Sequence, residues 1–227
     1  MKNNLLKILL SPILLFKNLS KFLFNLFSYK IRRSIIQNEE EFKVNLIRGV
    51  VKKYNYKFFV ETGTYLGKTS AVLSEVFDEI FTVELDYNLY LQSKKKLEKY
   101  DNIKCFNDDS ENFLKKNIHS FNQKTIFFLD AHYSGPGTSN LKGETPCIKE
   151  LQEISKSPIK DHIIIIDDIS DFSVSANGQK LSEIISVIEN ISTNYKFYCD
   201  YDMLFALPNE RIHREFFKDI IPNFVIR

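Results

Sequence analysis

Cysteine is scarce: Cys105, Cys147 and Cys199 lie far apart, with no CxxC pair and no even-numbered set. That excludes a disulfide framework, argues against a cysteine zinc site and fits a reducing compartment. The four histidines form no HExxH, so the helical zinc-peptidase motif is absent too. In the opening segment no charge-free run exceeds the nine residues 8–16, whereas a membrane span needs about 20. Nor do small residues follow it as a signal-peptidase site requires; "NLFSYKIRR" supplies bulk and charge, and the segment is expected to be retained. Acid is missing from residues 1–38, which hold seven Lys or Arg, leaving 24 bases against 29 acids in the remainder. The net charge of +2 is therefore a basic leader joined to a body at −5, without the basic excess that would point to nucleic acid.

What is present fits one globular domain: 227 residues, 44% hydrophobic and 26% charged, with no internal repeat or low-complexity linker. Two parts are expected, a basic amphipathic segment over 1–38 and a folded domain over 39–227. In the leader, Leu, Ile and Phe interleave with Lys and break at Pro12. That describes helices that either lie on an anionic membrane surface or pack on the domain or a second subunit of a homo-oligomer. From residue 39 the pattern turns regular, with Phe42, Leu46, Val50 and Tyr54 at helical spacing. Apolar strands then read at 57–61, 80–84, 103–106, 125–130 and 162–167, separated by helical stretches near 68–77, 87–99, 110–117, 146–155 and, after the fifth strand, 179–192. This alternation predicts an α/β fold with a doubly wound, mainly parallel sheet. "KFYCDY" and "MLFALP" follow too closely for a crossover helix, so they should form an antiparallel edge hairpin and bring the sheet to seven strands.

Ligands of such sheets bind at the carboxyl ends of the strands. There "ETGTYLGKTS" (61–70) resembles a phosphate-binding loop, but only three residues separate Gly63 from Gly67 where a P-loop has four. Glu61 would also repel a triphosphate. A ligand carrying an ammonium and a sulfonium would instead be attracted, with Gly63 and Gly67 permitting close backbone approach. At the end of the next strand Glu84 can accept both hydroxyls of a ribose, and after the third strand Asp109 and Ser110 can meet an adenine edge. Read without a ligand, Glu84 is a strand-end carboxylate and Ser110 a helix N-cap.

With these residues on the same rim, the chain resembles the class I S-adenosylmethionine-dependent methyltransferases over about residues 56–207. The resemblance implies a Rossmann-like fold, with Glu61, Gly63, Thr64 and Gly67 around the methionine part of the cofactor, Glu84 on the ribose, and Asp109 and Ser110 at the adenine. Asp108 departs from the pattern, standing where related sequences often carry glycine.

"TIFFLDAHYSG" ends with Asp130 and "IIIIDDIS" with Asp167 and Asp168, and adjacent parallel strands should gather these carboxylates. Such a cluster calls for protons or a cation, and Mg²⁺ or another hard divalent ion suits oxygen ligands. The layout is similar to that of metal-dependent O-methyltransferases acting on small molecules and sugars. Without a metal, Asp167 caps backbone amides and Asp168 faces solvent. His132, two residues beyond Asp130, is a general base, a metal ligand or a loop-fixing hydrogen bonder. The glycine-rich stretch 133–144 exceeds the usual connection of roughly 2–6 residues and reads as a substrate lid. The resemblance thus implies O-methylation of a small-molecule or sugar acceptor, in a glycan-precursor setting, with Asp130 and His132 as catalytic groups. The protein is expected in the cytoplasm, at the inner face of a membrane if the leader binds there. The competing readings are an inactive methyltransferase-fold binding module at a membrane and a P-loop-like nucleotide hydrolase.

Overall fold

The computed structural model describes residues 39–131, 146–169, 172, 180–200, 202–208 and 225–226. The leader 1–38, His132 and the stretch 133–144 lie outside the described residues. The chain divides into two units, Met1–Lys43 and Val44–Arg227. Of the first, residues 39–43 are described, as the opening of helix α1 (Glu39–Tyr54). Everything below belongs to the second.

From Val44 onward α1 buries Val44, Leu46, Ile47, Val50 and Val51, a broader stripe than the expected one, with Tyr54 only partly covered. There follow β1 (Phe58–Thr62), α2 (Lys68–Leu73), β2 (Glu79–Glu84), α3 (Tyr87–Leu97), β3 (Ile103–Asn107) and α4 (Ser110–Asn117). After a short 3₁₀ turn come β4 (Thr125–Leu129), α5 (Cys147–Ile154), β5 (Ile163–Ile166), α6 (Leu181–Ile191), β6 (Tyr195–Asp200), β7 (Met203–Pro208) and β8 (Val225–Ile226). All seven expected strands share one sheet in the order β3-β2-β1-β4-β5-β7-β6-β8, the two-residue β8 being an addition outside β6. The pairs among β1–β5 are parallel, while β7 runs antiparallel to both β5 and β6.

Central strands covered on both faces need unbroken apolar runs, and every residue of β4, β5 and β7 is buried. The edge strand β3 alternates less strictly and exposes Lys104, which discourages edge-to-edge pairing. On one face Val60, Val83, Phe127, Leu129, Ile164, Ile166 and Leu204 pack with Phe113 and Leu114 of α4, Leu151 of α5 and Ile184 and Ile188 of α6. Right-handed crossovers place α2 and α3, which connect strands laid in the opposite direction, on the other face. There the rings of Phe59 and Phe77 pack at a tilt, their centroids 4.9 Å apart. Arg48 ties α1 to α2 by donating to the Val72 carbonyl at 3.0 Å. Among the described residues no helix is long and apolar enough to cross a membrane.

At the amino ends of the strands, fully buried His162 accepts the Thr125 N–H on Nδ1 at 3.2 Å. Its proton therefore sits on Nε2, 2.8 Å from Ser157 Oγ. Burial outweighs the nearby Asp161 charge and pulls the imidazole from 6.5 down to about 4. Between those values the unfolded chain binds the extra proton and the folded one does not, so this residue's contribution to stability falls as the pH falls. Denaturant titrations of wild type and His162→Gln should show the wild-type advantage shrinking by about 1.4 kcal/mol per pH unit from 6.5 to 4. A constant difference would mean the histidine is charged in the fold.

Candidate functional site

The chain leaves β1 toward β2 and leaves β4 toward β5, so the two loops diverge where the strand order reverses. A crevice must open at that point. Gly63 occupies it, at φ +84°. A Cβ there would lie 2.8 Å from the Asp130 carbonyl carbon and nearer still to its oxygen, so only glycine lets the β1 loop lie against the end of β4. Gly67, at φ +73°, begins α2 and faces the Leu97 side chain.

The last three residues of β2 grip this loop in ascending order. Thr82 Oγ1 lies 2.6 Å from Glu61 Oε2 and 2.6 Å from Thr64 Oγ1. The Val83 carbonyl accepts from Gly63 N at 2.9 Å and Thr64 N at 3.2 Å. Glu84 Oε2 accepts from Tyr65 N at 2.8 Å, while its Oε1 accepts from Asp86 N at 3.0 Å. Because Gly67 N also bonds inward, to the Thr64 carbonyl, four backbone donors of the loop are already engaged. A phosphate-cradling loop would turn such donors toward the anion. Together with Glu61 and Glu84, this opposes the nucleotide-hydrolase reading.

Glu61, expected around the methionine part of the cofactor, is 1% exposed and sits beneath the loop. Ser70 Oγ, from α2, donates to the same Oε2 at 2.6 Å. Burial raises the carboxyl from 4.5 to about 7, the hydroxyls of Ser70 and Thr82 offset part of that, and the Asp130 charge adds to it. Glu84 is also buried but keeps acceptor capacity on both oxygens, since a carboxylate has about four lone-pair sites and the bonds from Tyr65 N and Asp86 N use half of them. At β3 the N-cap of α4 is Asp109, accepting from Asn112 N at 3.2 Å, while Ser110, predicted as a possible cap, is the first helical residue and is buried. Asp108 turns back onto the same helix, accepting from Asn112 Nδ2 at 2.7 Å and Lys116 Nζ at 2.8 Å. Burial works against its ionisation, but these bonds outweigh it and hold the carboxyl below its ordinary range.

The expected metal centre is not assembled. Among the described residues no group of three His, Cys, Asp or Glu is placed to hold a metal ion, and Asp130, Asp167 and Asp168 are all among them. Asp167 Oδ1 accepts the Asp168 N–H at 3.0 Å, and Asp168 turns into the left-handed region at φ +49°. Ile169 N then bonds the Asp202 carbonyl at 2.9 Å, tying this turn to the β6–β7 hairpin. Part of Asp167's capacity thus serves the turn, as the reading without metal had it. Half-buried Asp130 stays beside Gly63, its N–H on the Thr62 carbonyl at 3.1 Å. Ser70 and Thr82 were not foreseen as site residues. Aligning the carboxyl ends of "FFVET" and "FTVE" pairs Glu61 with Val83, whereas the observed register sets Glu61 opposite Thr82, so the strand ends alone did not point to it.

No protein-family model and no curated protein sequence matches the chain significantly. Solved structures do match in fold. An O-methyltransferase from Bacillus cereus, in complex with SAH, aligns at TM-score 0.55 and 12% identity, over 73% of this chain and 80% of its own. The O-methyltransferase TomG from Streptomyces achromogenes, in complex with SAM, aligns at 0.53 and 9% over 74% and 80%. The N-methyltransferase NodS from Bradyrhizobium japonicum aligns at 0.50 and 12% over 77% and 99%. The strand order, the loop at the reversal point and these likenesses agree, and the chain has the Rossmann-like fold of the S-adenosylmethionine-dependent methyltransferases.

Proposed function

We propose that the protein is an S-adenosylmethionine-dependent methyltransferase that methylates a hydroxyl of a small molecule or sugar. The observation that carries the reading is the grip of Thr82, Val83 and Glu84 on the Glu61–Tyr65 loop at the reversal point. It leaves two buried carboxylates on either side of a loop whose donors point inward, an arrangement suited to a cationic, ribose-bearing ligand. The residues fit that cofactor: Gly63 and Gly67 allow close approach, Glu84 accepts ribose hydroxyls, and Asp109 and Ser110 border the adenine side. Once bound, S-adenosylmethionine supplies an electrophilic methyl on a positively charged sulfur. Ionised Glu61 offsets positive charge from beneath the loop. Asp130, at the end of β4, or His132 two residues on, takes the acceptor's proton as its oxygen attacks in line. No step is assigned to a metal. The choice of oxygen as the methylated atom is supported by the O-methyltransferases among the structural neighbours, although the same fold serves an N-methyltransferase.

Calorimetry with S-adenosylmethionine, S-adenosylhomocysteine and ATP tests the assignment. Both sulfur compounds should bind and ATP should not. Glu84→Ala should weaken binding by roughly 10- to 100-fold, because ribose hydroxyls lose a charged acceptor and the loop loses its hold on Tyr65. Unchanged affinity in a folded variant would show that the ribose is held elsewhere, and ATP binding alone would return the nucleotide reading.

A further inference from the structure

Resting on the functional reading above, we propose that Thr82 is a positioning residue for the cofactor site, its hydroxyl orienting the Glu61 carboxylate and, through Thr64, the glycine loop. The argument begins with the register. Glu61 and Thr82 are paired across β1 and β2, and their side chains emerge on the same face of the sheet. Thr82 is fully buried, and Thr64 nearly so. An ionised carboxylate only accepts, which fixes the direction of the chain of bonds: Thr64 donates to Thr82, and Thr82 to Glu61. Ser70 completes the arrangement by donating to the same oxygen from α2.

Packing alone does not call for a threonine. Valine has nearly the same shape and suits a buried strand equally well, whereas a buried hydroxyl costs stability unless it is bonded. Here the hydroxyl is bonded twice, once to the buried acid and once to the loop. The charged and titratable groups that act on Glu61 or on its neighbour Cys105 are Asp130 at the end of β4, Cys105 of β3 and Glu84 of β2. Burial first, and the Asp130 charge in addition, raise the Glu61 pKa, so the ionised form depends on the hydroxyls of Ser70, Thr82 and Thr69. Removing one of them should move the titration of Glu61 upward.

The test uses the full chain, with S-adenosylhomocysteine as the probe, by calorimetry between about pH 5.5 and 8.5. Wild-type affinity should strengthen as Glu61 loses its proton, with a midpoint near pH 7. In Thr82→Val the midpoint should rise by about one pH unit, which weakens binding several-fold at pH 7 and little at 8.5. Thr82→Ser keeps the hydroxyl and should restore the wild-type profile. Ser70→Ala removes the other donor and should shift the profile the same way, so it carries the test if Thr82→Val does not fold. A folded Thr82→Val, or failing that Ser70→Ala, with the wild-type profile or with equal weakening at every pH would overturn the inference while leaving the cofactor assignment intact. Wild-type protein that binds neither S-adenosylhomocysteine nor S-adenosylmethionine at any pH overturns both.

Discussion

Gly63→Ala should abolish cofactor binding and lower stability by roughly 2–5 kcal/mol, the combined cost of a left-handed alanine and an overpacked contact. Two independent constraints meet at this residue. Its φ of +84° disfavours any side chain, and the added carbon would run into the main chain of Asp130, which cannot step aside as a flexible side chain can. The loop would have to lift away from β4, breaking the bonds from Gly63 N and Thr64 N to Val83. Gly67 provides the control. It too has a positive φ, but an added carbon there meets only the end of Leu97, so Gly67→Ala should cost less and Gly67→Asn less again. Thermal melts and calorimetry of the three variants would decide the matter. If Gly63→Ala melts and binds like Gly67→Ala, the close approach to β4 is not a constraint on the loop.

Glu61→Gln should make the protein more stable and less able to bind its cofactor. The folded chain holds the Glu61 proton up to about pH 7, while the unfolded chain releases it near 4.5. Between those values the unfolded state binds fewer protons, so stability falls as the pH rises and stays lowered above 7. At pH 8 the ionised side chain therefore costs on the order of 2–3 kcal/mol, which glutamine avoids while still accepting bonds from Ser70 and Thr82. The variant's melting temperature should exceed wild type by several degrees at pH 8 and match it near pH 4.5, while S-adenosylhomocysteine affinity drops at pH 8. A variant less stable than wild type at pH 8 would mean that the carboxylate is held by its neighbours more strongly than burial opposes it.

Much of the fold was legible because parallel strands covered on both faces must be apolar throughout. "TIFFL" and "IIII" read as strands on that ground alone, and the rim residues followed from where those runs stop. The hairpin was legible as an antiparallel pair, but not that its second strand returns beside β5 and leaves the first outside. Lateral strand order depends on the folded sheet, and local pattern does not encode it. The same holds within the site. Glu61 was recognised, yet its burial under the loop follows from pairing with Thr82 and from Ser70 arriving on α2, both tertiary facts. The Asp167-Asp168 pair looked like a ligand set because both residues follow a strand. One backbone turn, with the Asp168 amide on the Asp167 side chain, redirected part of that capacity. For Asp108, the departure from the family pattern resolves into a bond back to its own helix.

The two buried titrating groups at opposite ends of the sheet have a joint consequence. On folding, His162 gives up a proton that the unfolded chain would keep, and Glu61 keeps one that the unfolded chain would give up. Their windows overlap between about pH 4.5 and 6.5. Over that range this pair makes folding nearly neutral in protons: both groups are mostly uncharged in the folded chain, and mild acidification leaves the pair's balance between folded and unfolded chain nearly unmoved. The site's own charge is lost above that range, as the pH falls through about 7, so from pH 6.5 down to 5 the pair leaves the chain equally well folded with the acid beneath its glycine loop switched off throughout.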